Sequence, residues 1–281
     1  MNNRFADEVT SFLQRANIEF EIEYSPCGVS YKITDTDTVI ELVSLEQAKI
    51  CRNTGLSDNS TDRLFLFEDR WNFAKEQMEQ RILNRLGAGK RIFARNCQVI
   101  SILPQYSGQC QKSYQSRIVK FIDKYHSLKY IRSPYILALE NKENIVAAAT
   151  FSKPIITNRL TDSLPQPQQF LSFEWTRYTS LPDITVVGGM GKILNAFIEK
   201  LRETKQSLPI EIMSYSDNEW GNGNAYKKLG FKEIEGLKPT PHFVNPKTWE
   251  RYSSHNSEKY LSKELIKIYN LGSRKWLLTL K

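Results

Sequence analysis

Apolar and polar residues follow two different periods along the first third of the chain. Phe5 and Val9 begin a repeat with helical spacing, whereas residues 19–24 alternate as in a half-buried strand. The polar stretch 55–62 predicts a loop, and the apolar run 64–67 is typical of a central strand. In chain order, this part predicts a helix, three strands, a helix, a strand and a helix, over residues 4–16, 19–24, 31–33, 38–43, 45–51, 64–67 and 71–86.

One long helix is predicted over residues 71–86. Its apolar positions recur every three or four residues from Trp71, and Gly87 and Gly89 follow it as terminators. The order αβββαβα predicts a small α/β module that ends near Arg95.

A second domain is predicted over residues 96–281, after a first domain at 1–95. The Pro- and Gln-rich stretch 157–169 predicts a mobile surface loop. The mixture of strands and helices indicates an α/β (α+β) fold class. The elements are a strand, a helix, a hairpin, a strand, a helix, a strand and a short helix, over residues 97–103, 118–125, 135–151, 170–178, 193–201, 209–215 and 224–231.

Composition narrows the class of protein. Hydrophobic residues make up 40%, aromatic residues 11% and charged residues 25% of the 281 positions, which excludes a disordered chain, collagen and a coiled coil. No apolar stretch approaches the ~20 residues of a membrane span, and the amphipathic start lacks a signal-peptide core. We therefore expect a soluble, cytoplasmic protein with no membrane partner.

The positive charge is unevenly distributed. Lys and Arg outnumber Asp and Glu by 39 to 31, but residues 1–95 hold 13 basic and 15 acidic residues, which leaves 26 and 16 for residues 96–281. The electrostatic field of such an excess of positive charge attracts nucleic acid, acidic protein or the phosphates of a nucleotide cofactor. A solvated basic surface without a partner is the alternative. Residues that would follow phosphates are Lys90, Arg91, Arg95, Lys112, Arg117, Lys120 and Lys124.

Cysteine and histidine give no support for a metal site. The cysteines form no CxxC pair and are too few for a disulfide scaffold, so we expect them reduced and buried. The histidines form no HxxxH spacing, and His126 is expected to interact with a helix dipole. These residues are Cys27, Cys51, Cys97, Cys110, His126, His242 and His255.

A glycine-rich turn enters the helix at residues 193–201. Glycines there allow a phosphate to approach unpaired N–H groups, to which the helix dipole adds attraction. Tight turns and helix starts also need glycine, so the structural explanation stays open. The candidate cofactor-binding residues are Val187, Gly188, Gly189, Gly191 and Lys192.

This turn, the strand after it and the short helix ending YKKLGF resemble the coenzyme A half of the GNAT acyltransferase fold. The resemblance implies a mixed central sheet, acetyl-CoA or another acyl-CoA as cofactor, and a pyrophosphate at Gly189 and Gly191. It also implies that Tyr226 protonates the departing thiolate and that Glu174 is the base. The first position of the family's turn is usually Arg or Gln and is Val186 here.

A longer similarity spans residues 63–281. SFEWTRYTS, VVGGMGKILNAFI and IMSYSDNEWGNGNAYKKLGF, with LFLFEDRWNFAKEQMEQRILNRLGAGKRIFARNCQV upstream, resemble phage Hef-type homing endonucleases. In those proteins a nuclease related to very-short-patch-repair enzymes precedes a GNAT-like domain. The resemblance therefore implies a restriction-endonuclease-like α/β module at 1–95.

The nuclease motif is incomplete. Such enzymes hold Mg²⁺ with an acidic pair and a lysine, and the expected Ile-Glu-Φ-Asn-Gly reads IELVS, which keeps Glu41. The upstream aspartate falls near Ser30 or Tyr31, with Asp35 or Asp37 as substitutes after a shift. We predict a degenerate nuclease, with Mg²⁺ only if it cleaves.

Several candidate residues have a structural explanation beside the functional one. Glu174 is either a general base or an ion-pair partner of Arg177, and Tyr226 is either an acid or a packing residue. Asp217 and Trp220 either contact a substrate or nucleic acid, or cap and anchor a turn.

Two functions compete. The first is an acyl-CoA-dependent N-acyltransferase whose acceptor is linked to nucleic acid. The second is a DNA-binding protein of homing-endonuclease type, with residual or lost cleavage and a non-catalytic GNAT-like half.

Overall fold

The computed structural model describes residues 3–25, 28–50, 62–104, 109–161, 164–204, 207–254 and 264–280. Most of the polar loop predicted at 55–62 lies outside these residues, as do Cys27, Cys51 and His255, and the side chain of Cys110 is not described.

The elements of the first third are mostly those predicted. They are α1 (Asn3–Arg15), β1 (Phe20–Ser25), β2 (Gly28–Ile33), β3 (Thr38–Val43), α2 (Leu45–Ile50), β4 (Asp62–Phe67), α3 (Glu68–Phe73), α4 (Lys75–Arg85) and β5 (Lys90–Phe93).

The elements that follow begin with a short 3-10 helix. They are η1 (Ala94–Asn96), β6 (Gln98–Ile102), α5 (Gln109–Tyr125), β7 (Tyr135–Asn141), β8 (Asn144–Phe151), β9 (Ile155–Thr161), β10 (Leu164–Ser180), β11 (Ile184–Val187), α6 (Gly189–Glu203), β12 (Ile210–Asp217), α7 (Asn224–Lys228), β13 (Lys232–Leu237), β14 (Pro241–Val244), β15 (Arg251–Ser253), β16 (Ile266–Tyr269) and β17 (Ser273–Thr279). The mixed α/β class is confirmed.

The chain forms two compact units. Unit 1 consists of Met1–Ile82, Ser216–Ala225 and Ile234–Lys275, and unit 2 consists of Leu83–Tyr215, Tyr226–Glu233 and Trp276–Lys281. The predicted division into domains at 1–95 and 96–281 stays a prediction.

Unit 1 contains a four-stranded sheet in the order β1-β2-β3-β4, in which β3 and β4 are parallel. Phe5 and Phe12 of α1 pack on the ring of Trp71 at 6.3 and 5.9 Å between centroids. Trp71 also donates from Nε1 to Glu8 at 3.1 Å. The apolar face of α1 thus packs against α3, as the periodicity of α1 predicts for a buried face.

Two sequence predictions for the strands of unit 1 are wrong. β4 lies at an end of the sheet and is not central, although its last four residues are buried. Its Phe65 N–H donates to the carbonyl of Glu219 at 2.8 Å, so a later segment of the chain covers this edge. β1 is the opposite edge strand, where all residues after Phe20 are exposed and none is half-buried.

The single helix predicted over 71–86 is also wrong, since it is divided into α3 and α4. Ala74 leaves helical geometry with φ −144° and ψ 52°. Its N–H still bonds to the carbonyl of Arg70, and its own carbonyl accepts from Met78. Because the apolar positions keep their spacing across Ala74, the periodicity conceals the break.

Unit 2 contains strands β10, β8, β7 and β6, which are neighbours in that order in a sheet whose full order is β13-β17-β12-β10-β8-β7-β6, with β9 beside β10. Neighbouring residues of β7 and β8 face opposite sides. Leu137 and Ala149 pack with α6, whereas Ala138 and Ala148 pack with α5. The uninterrupted apolar run of β8 is therefore buried on both faces, as such runs often are. The predicted mixed central sheet is present, because β10 is parallel to β12 and antiparallel to β8.

The stretch 157–169 does not form the predicted surface loop, because its described residues belong to the hairpin of β9 and β10. Glu211 of β12 is fully buried and holds this hairpin. Arg159 donates to its carboxylate from Nε at 2.6 Å and from Nη2 at 2.9 Å, and Thr157 donates at 2.9 Å. Burial alone would raise the pKa of Glu211, but these hydrogen bonds lower it overall. Charge pairing thus overrides the loop-like composition.

Candidate active site

The parallel ladder between β10 and β12 is short. Its register runs from Leu171 opposite Ile210 to Glu174 opposite Met213. At the next residue the carbonyl of Trp175 accepts from the hydroxyl of Ser214 at 3.0 Å. A side chain therefore satisfies a backbone acceptor where the ladder ends, as a buried carbonyl requires.

Tyr226 of α7 lies at this end of the ladder. Its hydroxyl is 2.9 Å from the hydroxyl of Ser214. The ring stacks on Trp276 at 5.8 Å and meets Trp175 edge-on at 6.1 Å. Burial raises the pKa of Tyr226, and the hydrogen bond with Ser214 opposes this. The phenol therefore stays protonated near neutral pH and is a proton donor.

Glu174 lies at the same point on β10. Its N–H donates to the hydroxyl of Ser152 and its carbonyl accepts from the N–H of Ser152, both at 2.9 Å. Its side chain is half-buried. Because consecutive strand residues face opposite sides, Glu174 lies on the face opposite Trp175 and Tyr226. The sheet thus brings a carboxylate and a phenol to one ladder end on opposite faces.

Arg177 is held by main-chain oxygens. It donates from Nε to the carbonyl of Lys129 at 2.8 Å and from Nη1 to the carbonyl of Thr176 at 2.7 Å. Burial lowers the pKa of Arg177, and the charge of Glu174 partly opposes this shift. The two charges interact electrostatically, while the hydrogen bonds of Arg177 go to the backbone.

Gly188 forms the turn into α6. It adopts left-handed geometry at φ 75° and ψ 8°, which favours glycine. Its carbonyl accepts from Lys192 N–H at 3.0 Å, the first hydrogen bond of the helix. No side chain in the described part of the chain caps this end. The first-turn N–H groups are therefore available to an anion.

Protein packing explains the next two glycines. A Cβ at Gly189 would lie 2.9 Å from both Tyr178 Oη and Val186 Cγ1, so no larger residue fits. A Cβ at Gly191 would lie 3.4 Å from Leu229. The close approaches that these glycines permit in this structure are to protein atoms.

The side chains of two further residues at the turn are not placed as in a simple phosphate-binding turn. Lys192 Nζ donates to the carbonyls of Ala94 at 3.0 Å and Cys97 at 2.5 Å, which joins α6 to η1. Val186 is buried in the core. It stands at the position where the resemblance to the GNAT turn would place Arg or Gln. Val187 is exposed beside the turn.

Three of the predicted basic residues lie on or just after β5, which pairs with the strand before the turn. β5 pairs in parallel with β11, which sets Lys90 opposite Ile184 and Arg91 opposite Thr185. Lys90, Arg91 and Arg95 are exposed. Arg95 lines a cavity with Gly188 and Gly191 at the start of α6, whereas Lys90 and Arg91 lie beside the beginning of β11.

Asp217 and Trp220 belong to unit 1. Asp217 Oδ1 accepts from Glu219 N–H at 2.9 Å, and its carbonyl accepts from Trp220 N–H at 3.0 Å, so it stabilises a turn. The guanidinium of Arg81 lies 3.7 Å from the ring centroid of Trp220. Asp217 is exposed, but partial desolvation of its carboxylate, reinforced by the charge of Glu219, raises its pKa to about 6.

A buried ionic cluster lies near this turn. Arg251 donates to both carboxylate oxygens of Asp69 at 2.7 Å and to Glu219 at 2.7 Å, and all three side chains are buried. Asp69 lies in the first turn of α3 and pairs with a residue 182 positions away in the sequence.

Glu41, which remains of the nuclease motif, forms an ion pair with Arg63 of β4. Within the described ranges, no group of three or more His, Cys, Asp or Glu residues is arranged to hold a metal ion. No helix in the part of the chain that the structure describes is long and apolar enough to cross a membrane.

Sequence reasoning missed Ser214 and Trp276, which contact Tyr226. No local pattern distinguishes either residue, since Ser214 is one of several polar residues on β12 and Trp276 lies in an ordinary strand. Their roles depend on the pairing of distant segments.

Comparisons with known proteins give structural matches only. No protein-family model and no curated protein sequence matches the chain. Similar solved structures include a GNAT family acetyltransferase from Elizabethkingia anophelis with acetyl-CoA bound, at 12% identity and a TM-score of 0.36, covering 66% of this chain and 99% of that one. An N-acetyltransferase from Staphylococcus aureus Mu50 is also similar, at 13% identity and a TM-score of 0.36. That match covers 66% of this chain and 99% of the other.

A third similar structure is N-acetylglutamate synthase from Neisseria gonorrhoeae, complexed with coenzyme A and N-acetyl-glutamate. Its identity is 14% and its TM-score 0.33, and the match covers 66% of this chain and 35% of that one.

Proposed function

We propose that the chain is an acyl-CoA-dependent N-acyltransferase whose reaction centre lies at the end of the β10–β12 ladder. One observation carries the proposal: the ladder stops at Glu174 and Met213, and the hydroxyl of Tyr226 lies at that point against Ser214. The backbone pairing of β10 with β12 ends there, and the phenol can supply a proton beside this end.

Acyl-CoA would supply the activated acyl group as a thioester. The residues of α6 that fit its pyrophosphate are the N–H groups of the uncapped first turn, after Gly188. Val187 is exposed beside them, whereas Lys192 is engaged with backbone carbonyls. The fit therefore depends on N–H groups more than on a lysine charge.

The chain's own residues would move two protons. Glu174 accepts a proton from the acceptor amine, and Tyr226 donates one to the departing sulfur. A C–N bond forms while the C–S bond breaks, so charge and atoms balance. The opposite faces of Glu174 and Tyr226 suit a reaction in which amine and thioester approach from opposite sides of the sheet.

The acceptor in this proposal is an amine linked to nucleic acid. The support is electrostatic: Lys90, Arg91 and Arg95 are exposed in unit 2, and the excess of basic residues falls within 96–281. A degenerate nuclease module at residues 1–95 is part of the same proposal and rests on the sequence resemblance.

The first test is calorimetric titration with acetyl-CoA at low salt, beside an identical titration with adenosine diphosphate. Saturable binding of acetyl-CoA that exceeds binding of the diphosphate is expected. Thiol release from acetyl-CoA is then measured with amine-bearing DNA as acceptor. No binding of acetyl-CoA would end the proposal.

A DNA-binding protein without acyl transfer is the second candidate, and buried Val186 together with the engaged Lys192 favours it. This candidate predicts retention of duplex DNA with no acetyl-CoA binding. Residual cleavage is tested by nicking of supercoiled plasmid with Mg²⁺, which Glu41→Ala should stop.

A further inference from the structure

Two arginines of unit 1 have no direct anionic partner. Arg70 lies on α3 and Arg81 on α4, and both side chains are partly exposed. Among the residues that the structure describes, no carboxylate lies within ion-pair distance of either guanidinium, and neither guanidinium donates a hydrogen bond. We call these two side chains and the ring of Trp220 the arginine cluster.

The carboxylates whose charges act on the arginine cluster already have partners. Arg251 donates to both oxygens of Asp69 and to Oε1 of Glu219, each at 2.7 Å. Asp217 Oδ1 accepts from the N–H of Glu219 at 2.9 Å. These carboxylates therefore act on the cluster through their charge, without hydrogen bonds to its guanidinium groups.

The ring of Trp220 holds one of the two guanidinium groups. The guanidinium carbon of Arg81 lies 3.7 Å from the centroid of this ring. Stacking on an aromatic face fixes the plane of a guanidinium without using its N–H donors. The donors at the edge of the Arg81 guanidinium are therefore available to a ligand.

The folded protein disfavours the positive charges of both arginines. Partial burial lowers the pKa of Arg81 to about 10, and the charges of Asp217 and Glu219 oppose this shift only in part. Partial burial, with the charge of Arg251, also lowers the pKa of Arg70. Because a guanidinium keeps its proton at neutral pH, the cluster holds positive charge that its neighbours do not fully compensate.

A pair of guanidinium groups suits a tetrahedral oxyanion. The planar N–H donors of each group match two oxygens of a phosphate. A bound dianion would give both arginines the partner that they lack and would offset the repulsion between them.

The surrounding charge favours a small anion over a polyanion. Asp217 and Glu219 adjoin the arginine cluster, and residues 1–95 hold 13 basic and 15 acidic residues. The phosphates of a nucleic acid on either side of a bound phosphate would meet this negative charge. A single phosphate group avoids that repulsion.

We propose that Arg70 and Arg81 bind a phosphate dianion, with the ring of Trp220 holding one guanidinium in place. Asp217 contributes a negative charge that opposes entry of the anion. Inorganic phosphate and the phosphate group of a small monoester share this chemistry. The inference does not rest on acyl transfer, since it concerns unit 1 and is measured without acetyl-CoA.

The test is thermal unfolding of the full chain at increasing phosphate concentration and constant ionic strength, above neutral pH where phosphate is mostly a dianion. A ligand that binds the folded state raises the unfolding temperature by mass action, so a saturable increase is expected for wild type. Glycerol 3-phosphate is the probe for a monoester, and the probe with the lower dissociation constant identifies the source. No increase with either probe would overturn the proposal.

Removal of one guanidinium should weaken binding about tenfold or more, because charge-assisted hydrogen bonds to the anion are lost. Arg70→Gln and Arg81→Gln should therefore lose most of the phosphate-dependent increase. Arg63→Gln is the matched control, since it removes the same charge from a partly exposed arginine of unit 1 that is paired with Glu41. Equal losses in the control and in Arg81→Gln would overturn the proposal, because they would indicate attraction to net charge alone.

Two further substitutions separate a bound anion from a structural role. Asp217→Asn removes the opposing charge and should tighten phosphate binding severalfold, a gain that misfolding cannot produce. Trp220→Leu should weaken binding about two- to fivefold by releasing Arg81, whereas Trp220→Phe keeps an aromatic face and should bind almost as wild type. Phosphate binding that neither Asp217→Asn nor Trp220→Leu changes would count against the assigned site.

Two other outcomes would place the anion elsewhere. Phosphate that binds only at the start of α6 would raise the unfolding temperature equally in wild type and in Arg81→Gln, which would overturn the proposal. A short duplex DNA that binds through Arg70 and Arg81, when neither phosphate probe binds, would assign the cluster to a polymer and would also overturn it.

Discussion

The hydroxyl groups of Tyr226 and Ser214 lie 2.9 Å apart, and Ser214 also donates to the carbonyl of Trp175. A serine hydroxyl has one proton. When Ser214 gives that proton to the carbonyl, Tyr226 must be the donor between the two hydroxyls. The phenol proton is therefore oriented by a serine at the end of the β10–β12 ladder.

Removal of the Tyr226 hydroxyl should lower turnover with little change in fold. General acids typically contribute about 10²–10⁴-fold, so Tyr226→Phe should reduce kcat for thiol release about 100-fold while acetyl-CoA still binds. Tyr24→Phe, a change at an exposed tyrosine of β1, is the control and should leave kcat unchanged. An unchanged kcat in Tyr226→Phe would show that this tyrosine only packs.

The glycines at the start of α6 should differ in their tolerance of a methyl group. Gly189→Ala places a Cβ 2.9 Å from Tyr178 Oη and Val186 Cγ1, and such overpacking costs about 1–3 kcal/mol. Gly191→Ala meets Leu229 at 3.4 Å, so its free energy of unfolding should stay within about 1 kcal/mol of wild type.

Chemical denaturation of both glycine variants measures this difference. If Gly189→Ala is as stable as wild type, the close packing at Gly189 is not a constraint. Weaker acetyl-CoA binding by a normally stable Gly191→Ala would locate the cofactor at this turn.

Arg251 should contribute far more to stability than Arg63. Arg251→Leu leaves the buried carboxylates of Asp69 and Glu219 without their partner, which costs about 3–5 kcal/mol in comparable sites. Arg63 pairs with Glu41 where solvent reaches both side chains, and such a pair contributes about 0–1 kcal/mol.

Urea denaturation of Arg251→Leu and Arg63→Leu compares the two pairs directly. Similar losses of unfolding free energy in both variants would contradict the difference in burial between the Arg251 and Arg63 ion pairs.

The sequence predicts the regular elements better than it predicts their partners. α1 and β8 are strongly periodic or uniformly apolar, so local preference and tertiary packing agree. β5 is too short and too basic to predict as a strand, and it exists because β11, far along the chain, pairs with it. β9 and the start of β10 have the composition of a loop, but buried Glu211 binds Arg159 and makes them a hairpin.

The residues of the candidate site also divide into those that the sequence identifies and those that depend on distant partners. Tyr226 and Glu174 were identified from a resemblance, and the structure places both at one ladder end. Ser214 and Trp276 were not identified, because their importance arises only when β12, β17 and α7 come together. Arg251 and Asp69 are 182 positions apart, a separation that no local motif bridges.

Asp217 should make stability depend on pH between its two pKa values. Partial desolvation of the exposed Asp217 carboxylate, with the charge of Glu219, raises its pKa from 3.8 to about 6, so between these two values the folded state holds a proton that the unfolded state has released. Stability contributed by this proton is complete below pH 3.8 and is lost as pH rises through 6. Asp217→Asn keeps an oxygen that can accept from Glu219 N–H but carries no charge.

The unfolding free energy of Asp217→Asn, relative to wild type, should therefore increase as pH rises from 4 to 7. Thermal or urea unfolding at several pH values measures this difference, with Asp37→Asn, a change in the turn before β3, as the control. A difference that stays constant with pH would mean that the carboxylate is solvated as in the unfolded chain. A decrease would mean that the charges of Arg70 and Arg81 outweigh burial, which would make Asp217 a stabilising anion.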